Sequence, residues 1–319
     1  MSRLILVPQY PTRLRYQEWW FTELPKNYTT AFDEVLTLGQ GMVNSVQAFG
    51  EDFSPMQEAI EFETQQIREY LALELRQDDV LLLCDISYPG LFGHVLFHKR
   101  PTRCFAICHA TSKNRLDYFH KDRKAKWRVE TGLRKLFNTI FVATKYHQEK
   151  LGWGNTFITG LPLPPRELHT QGGKTLRFPY GGEVVSVARS GVQKRNETLE
   201  KYVEKNLGIK IIYPETNDWK NYYSFLSESK VMLITAKEET FGYQVVDALL
   251  NDCIPIAPNA FSYPELLHRD YLYKDAEELI VKVKAALAGT LLPPKLLNRE
   301  ICVNFFENTA RLMKKGVKQ

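Results

Sequence analysis

The stretch Ala236–Leu250 reads Ala-Lys-Glu-Glu-Thr-Phe-Gly-Tyr-Gln-Val-Val-Asp-Ala-Leu-Leu. An apolar strand, Val231–Thr235, precedes it, and the pattern predicts a helix starting near Thr240. Backbone N–H groups at a helix start lack intrahelical partners and face the crevice at the strand carboxyl ends. Together with the helix dipole they favour a phosphate or a polyhydroxyl ligand. Glu239 stands at that mouth and Asp247 follows eight residues on, about two turns or ~12 Å along a helix axis. Two carboxylates so placed can each bind a vicinal pair of hydroxyls on different parts of one elongated ligand. The plainer reading is N-terminal capping by Glu239 and a solvated Asp247, and spacing alone does not separate the two. Upstream, Val184-Val-Ser-Val-Ala ends on Arg189, with Lys194 five residues later. These are either surface cations or a fork of donors and a mobile point charge for an anion.

Two further groups belong to the first half of the chain. Cys104-Phe-Ala-Ile-Cys ends on His109, a histidine at a strand end, structural or functional. Cys104, Cys108 and His109 make a poor metal site, because alternate strand positions face opposite ways and no distant Cys/His pair completes four ligands. After the first strand, the loop Val7–Trp20 interleaves Tyr10, Tyr16, Trp19 and Trp20 with Arg13 and Arg15. Aromatics among cations suit stacking on bases or sugars, so Arg13, Arg15, Tyr16 and Trp19 are expected to bind substrate. The alternative is that Trp19 and Trp20 are core residues of a helix.

Glu239-Thr-Phe-Gly-Tyr-Gln-Val-Val-Asp247 resembles the acidic signature of retaining glycosyltransferases of family 4, which is Glu, any residue, Phe, Gly, four residues, then Glu. Asn251–Ala257 resembles the family's small-residue turn and strand, and Pro264-Glu265 its next helix start. The resemblance is dense over Val184–Leu267 and only one of pattern over the amino half. It implies two Rossmann-like parallel-sheet domains facing a central cleft, the GT-B architecture. It also implies a nucleotide-sugar co-substrate, expected to be UDP-linked, with no other cofactor and no metal. Catalytic roles then fall to Glu239, orienting the donor sugar, to Arg189 and Lys194, stabilising the departing diphosphate, and to His109, facing sugar or acceptor. Thr240, Phe241, Gly242 and Asp247 are expected around the nucleotide, Asp247 at the ribose. Two departures stand out. Asp247 replaces Glu, which shortens its reach by one methylene, and the loop after the first strand lacks the usual Gly-rich turn.

The elements that must hold these residues follow from periodicity. Leu4–Pro8, Val80–Ile86, Cys104–Cys108 and Ile140–Ala143 read as parallel strands covered on both faces. Glu183–Ala188, Lys210–Tyr213, Val231–Thr235 and Ile254–Ala257 form a second series, with helices starting near Asn196, Asp218, Thr240 and Asp275. A further helix is expected from Ser54-Pro55, with Ile60, Ile67, Leu71 and Leu75 on its apolar face. Strand–helix alternation repeated twice predicts two α/β lobes. The expected domains are 1–165 for the acceptor, 166–293 for the nucleotide sugar, and 294–319 as a helix returning to the first. Leu296, Leu297, Ile301, Phe305 and Phe306 would face that partner surface.

With 44% apolar and 25% charged residues, disordered and fibrous classes are excluded. No apolar run exceeds five residues, against the ~18 of a membrane span. Five scattered cysteines fit a reducing compartment, and the expected location is the cytoplasm. Net charge is +5, but Lys99–Lys150 carries fourteen Lys/Arg against Asp117, Asp122, Glu130 and Glu149. Such a belt is a solvated helix face, or a surface for duplex DNA or an anionic membrane. It points the acceptor toward a hydroxylated base in DNA, as in phage-type DNA-base glycosyltransferases. A glycan, lipid or small-molecule acceptor, a non-catalytic nucleic-acid-binding protein, and a nucleotide-sugar epimerase are the other readings.

Overall fold

The computed structural model describes residues 2–12, 15–45, 56–87, 89–116, 122–170, 184–187, 195–214 and 218–315. The chain divides into two compact units, Met1–Pro162 with Ile301–Gln319, and Leu163–Glu300.

In the amino unit the strands are β1 (Arg3–Val7), β2 (Glu34–Thr37), β3 (Val80–Leu83), β4 (Arg103–Cys108), β5 (Thr139–Val142) and β6 (Thr156–Ile158). They form one sheet in the order β2-β1-β3-β4-β5-β6, and every pairing is parallel. Its helices are α1 (Tyr16–Tyr28), α2 (Met56–Ala72), α3 (Leu91–Val95), α4 (Arg123–Leu133) and α5 (Lys145–Leu151). The central strands β1, β3 and β5 are buried at every position, which is why they read as continuous apolar runs. Strand order reverses between β1 and β3, so the crevice beyond their carboxyl ends is the switch point where ligands bind in such sheets. There Gln9 Nε2 donates to Asp85 at 2.6 Å. At the opposite ends Arg3 grips buried Asp79 through Nε (2.9 Å) and Nη2 (2.7 Å).

In the carboxyl unit come α6 (Arg166–Thr170), β7 (Val184–Val185), α7 (Glu197–Leu207), β8 (Ile211–Ile212), α8 (Trp219–Glu228) and β9 (Val231–Leu233). They are followed by α9 (Tyr243–Leu250), β10 (Ile254–Pro258), α10 (Tyr263–Leu266), β11 (Leu272–Tyr273) and α11 (Ala276–Leu287). The parallel sheet runs β11-β10-β9-β7-β8, with its switch point between β7 and β9. The expected helix starts at Asn196, Asp218 and Asp275 are true N-caps, each side chain accepting an N–H three residues on.

Last come α12 (Arg299–Val303) and α13 (Phe305–Lys315), where the sequence predicts one helix from Pro294. Residues 294–298 are not helical, and Leu297 is exposed. The inward residues are Cys302, Phe305, Thr309, Ala310 and Met313. Phe305 packs 6.2 Å from Trp20, and Phe306 packs 5.5 Å from Tyr28, ring centre to ring centre.

Two other expectations change. Ser54 and Pro55 lie outside the described residues. The buried face of α2 is Ala59, Phe62, Glu63, Gln66 and Tyr70, whereas Ile60 is 39% and Leu71 51% exposed. The face turns because two aromatics and two bonded polar groups occupy it. Glu63 accepts the N–H groups of Leu91 and Phe92, and Gln66 donates to the carbonyl of Pro8.

Candidate active site

In the carboxyl unit, β9 stops at Leu233, and α9 starts at Tyr243 rather than near Thr240. The shift follows from Gly242, which caps the helix with φ +105°, in the left-handed region that favours glycine. A Cβ there would lie 3.0 Å from Leu266 Cδ1 and 3.2 Å from the Tyr263 ring. Glu239 therefore lies outside the helix, so the two-turn spacing to Asp247 does not apply. Its Oε1 accepts the N–H of Thr240 at 2.9 Å and of Phe241 at 3.4 Å, which holds the carboxylate on the turn after β9. Phe241 is buried, with its carbonyl bonded by Ser262 Oγ at 2.8 Å. Thr240 is half-buried.

Asp247 sits in the second turn of α9 and is 7% exposed, so it is not a solvated surface charge. Its Oδ2 accepts from the Tyr222 hydroxyl (2.9 Å) and its Oδ1 from the Tyr223 hydroxyl (3.2 Å). Burial pushes its pKa up to about 7, against the opposing pull of those two bonds. Trp219 stacks on Tyr223 at 5.7 Å with rings 19° apart, and meets Tyr222 edge-on. Sequence reasoning missed this aromatic group. Its one signal was the Trp-Lys-Asn-Tyr-Tyr run directly after the N-cap Asp218. Arg189 and Lys194 lie outside the described residues.

In the amino unit, His109 follows β4 and is half-buried. Its Nε2 lies 3.1 Å from the Cys84 carbonyl. A carbonyl only accepts, so Nε2 carries the proton and the lone pair falls on Nδ1. The Tyr16 ring centre is 4.8 Å away and that of Trp20 is 5.0 Å away. Burial drives the imidazole down to about 4, so at neutral pH it is uncharged and has no second proton to donate. A second histidine, His147, unremarked in the sequence, is buried 3.9 Å from Cys108 Sγ and driven down to about 3, by burial first and by the neighbouring His109 next.

Tyr16 and Arg15 are half-buried at the start of α1. Trp19 is 5% exposed and packs edge-on to Trp20 at 6.1 Å. It is therefore a core residue rather than a stacking platform, because the apolar face of α1 turns it inward. Arg13 lies outside the described residues. On α4, Arg123, Lys124 and Arg128 are exposed, whereas Trp127 stacks on Trp153 at 5.3 Å beneath Lys113. Among the described residues, no helix is long and apolar enough to cross a membrane.

No protein-family model matches the chain. A stretch of 99 residues is 28% identical to the tRNA-queuosine alpha-mannosyltransferase of Drosophila melanogaster, covering 31% of this chain and 26% of that protein. Anabaena HepE in complex with UDP-glucose superposes with a TM-score of 0.62 at 13% identity, over 99% of this chain and 95% of that one. Sucrose-phosphate synthase of Thermosynechococcus elongatus gives 0.61 at 13% identity over the same shares. The fold is GT-B. Open parallel α/β sheets take ligands beyond the carboxyl ends of their strands, and the turn of Glu239 and the turn of His109 each stand at such an end of their own unit.

Proposed function

We propose that the chain is a retaining glycosyltransferase that moves a sugar from a nucleotide-sugar donor to a hydroxyl on a base of nucleic acid. The observation that carries the reading is the turn Glu239–Gly242, with its carboxylate held by two backbone N–H groups at the end of β9. In this reading Glu239 orients the donor sugar, and Arg189 and Lys194 stabilise the diphosphate as charge develops on it. Asp247 takes the ribose, each oxygen keeping a second lone pair beyond its tyrosine bond. Neutral His109 serves as a hydrogen-bonding group beside the sugar or acceptor and not as a proton donor. Attack and departure occur on the same face of the sugar, as the acidic signature implies.

For the acceptor, the basic face of α4 supports a polyanion, and the sequence pattern points to a hydroxylated base in DNA. The likeness to a tRNA-queuosine alpha-mannosyltransferase favours a second reading, a modified base in tRNA. One experiment tests both. The protein is incubated with UDP-glucose or GDP-mannose and either duplex DNA containing hydroxymethylated bases or queuosine-containing tRNA, and products are weighed by mass spectrometry. Glu239→Ala and Lys194→Ala should each lower turnover by ~10²–10³ while the protein stays folded. Near-normal turnover of either variant at saturating donor would remove the donor-site assignment. Donor hydrolysis without transfer to either nucleic acid would move the acceptor to a glycan or small molecule.

A further inference from the structure

Tyr263 opens α10 and is completely buried, yet its hydroxyl has no hydrogen-bond partner among the described residues. Burying a hydroxyl without a partner destabilises a fold, and a phenylalanine would fill the same space without that cost. Burial first, then the charges of Glu239 and Tyr273, push the phenol well above its ordinary pKa, so it keeps its proton at any working pH. Two oxygens are thus within electrostatic reach of the hydroxyl, and it bonds neither. Tyr273 spends its own proton on the Ile234 carbonyl at 3.0 Å.

The backbone before Tyr263 bends to bring it to the Glu239 turn. Phe261 is left-handed at φ +59°, a conformation that is strained for a bulky residue. Ser262 stands at the N-cap of α10, but its side chain leaves that helix uncapped and bonds the Phe241 carbonyl at 2.8 Å instead. Tyr263 then lays its ring against Gly242, where a Cβ would meet ring carbons at 3.2 and 3.5 Å. Consecutive residues at the entry to α10 therefore hold consecutive residues of the turn, Ser262 on Phe241 and Tyr263 on Gly242. Neither contact uses the phenol hydroxyl.

Glu239 is half-buried, and its Oε1 is committed to the N–H groups of Thr240 and Phe241. A carboxylate that turns to the hydroxyls of a sugar gives up bonds of that kind. We infer that Tyr263 is a positioning residue for Glu239, its hydroxyl a donor held in reserve that bonds the carboxylate when a nucleotide sugar draws it off the turn. The inference rests on the proposed role of Glu239 at the donor sugar. A hydrogen bond to a charged acceptor is stronger than one between neutral groups. The unmet donor of the empty site thus becomes a contact made only with the sugar in place, which favours ligands that carry the sugar over those that lack it.

The test uses the full chain and compares UDP-glucose with UDP, and GDP-mannose with GDP, by calorimetry, beside thermal melts of the free protein. Tyr263→Phe should leave the melting temperature at or above that of the wild type, because it removes an unsatisfied group. It should weaken the nucleotide sugar that the wild type binds by about tenfold or more, with the bare diphosphate within about twofold. The double variant with Glu239→Ala should bind no more weakly than Glu239→Ala alone. Parallel loss of nucleotide sugar and bare diphosphate, a lowered melting temperature, additive loss in the double variant, or wild-type binding of the nucleotide sugar would each overturn the inference. If Tyr263→Phe does not fold, the Cζ resonance of Tyr263 in the ring-labelled wild type decides. It should move with the nucleotide sugar and stay with the bare diphosphate, and the same response to both would overturn the inference. A wild type that binds neither nucleotide sugar removes the donor-site reading itself, and the inference with it.

Discussion

The Tyr28 hydroxyl and Thr309 Oγ1 lie 2.8 Å apart, both buried, joining α1 to α13 across 281 positions of sequence. Thr309 Oγ1 also lies 2.7 Å from the Phe305 carbonyl, which uses its one proton, so Tyr28 is the donor of the pair. Thr309→Val leaves a buried phenol unsatisfied and should cost roughly 1–3 kcal/mol, whereas Tyr28→Phe with Thr309→Val should cost much less than the two single changes added. Urea denaturation of the four proteins reads the coupling. Strict additivity would mean the bond contributes nothing.

Asp247 makes stability depend on pH in an unusual sense. Unfolded, an Asp releases its proton near ~3.9, whereas burial holds the folded carboxyl at about 7. Between those values the folded state binds the extra proton, so stability falls as pH rises, on the order of 1.4 kcal/mol per pH unit, and levels off above about 7. Glu63, raised by burial to about 6, adds in the same direction over a narrower window. Asp247→Asn should flatten the fall, which denaturation midpoints from pH 4 to 8 would show. Identical slopes for variant and wild type would refute the assignment.

His109 has the opposite sign. Its folded pKa of about 4 lies below the unfolded value of ~6.5, so acidification through that interval protonates the unfolded chain first and lowers stability. In NMR the ring should stay in the neutral form, with its proton on Nε2, from pH 8 down to 5. A titration centred near 6.5 would overturn both the tautomer and the reading of His109 as a hydrogen-bonding group.

The basic face of α4 makes a prediction about salt. If it tracks phosphates, log affinity for nucleic acid should fall linearly with log salt, near −0.9 per phosphate neutralised on duplex DNA. Lys124→Ala and Arg128→Ala should each flatten that slope by about one unit. Lys126, half-buried and interacting with Glu130, whose carboxyl burial raises against the smaller opposing pull of Lys126, should contribute less. A slope unchanged by all three substitutions would place the contact elsewhere.

The sequence was most legible where burial was complete. Runs such as Val80–Leu83 read as buried strands because they are wholly apolar and too short for a helix, and Asn196, Asp218 and Asp275 start helices through their own side chains. It was least legible at edges and across distance. β2 opens on exposed Glu34, and β11 has two residues, too few to show a period. The start of α9 depended on a left-handed glycine, which no apolar spacing reports. Glu239 and Asp247 were visible as residue types, but the tyrosines that bury Asp247 come from another helix.

The amino unit is closed by α13, whose Phe305 and Met313 are fully buried in it. During synthesis those residues leave the ribosome only after the whole of Leu163–Glu300 has emerged. The unit begun first is therefore finished last, and until then Trp20 and Tyr28 lack the cover of Phe305 and Phe306. The carboxyl unit can complete its sheet in the meantime, so a nascent chain would hold its second unit finished before its first is whole.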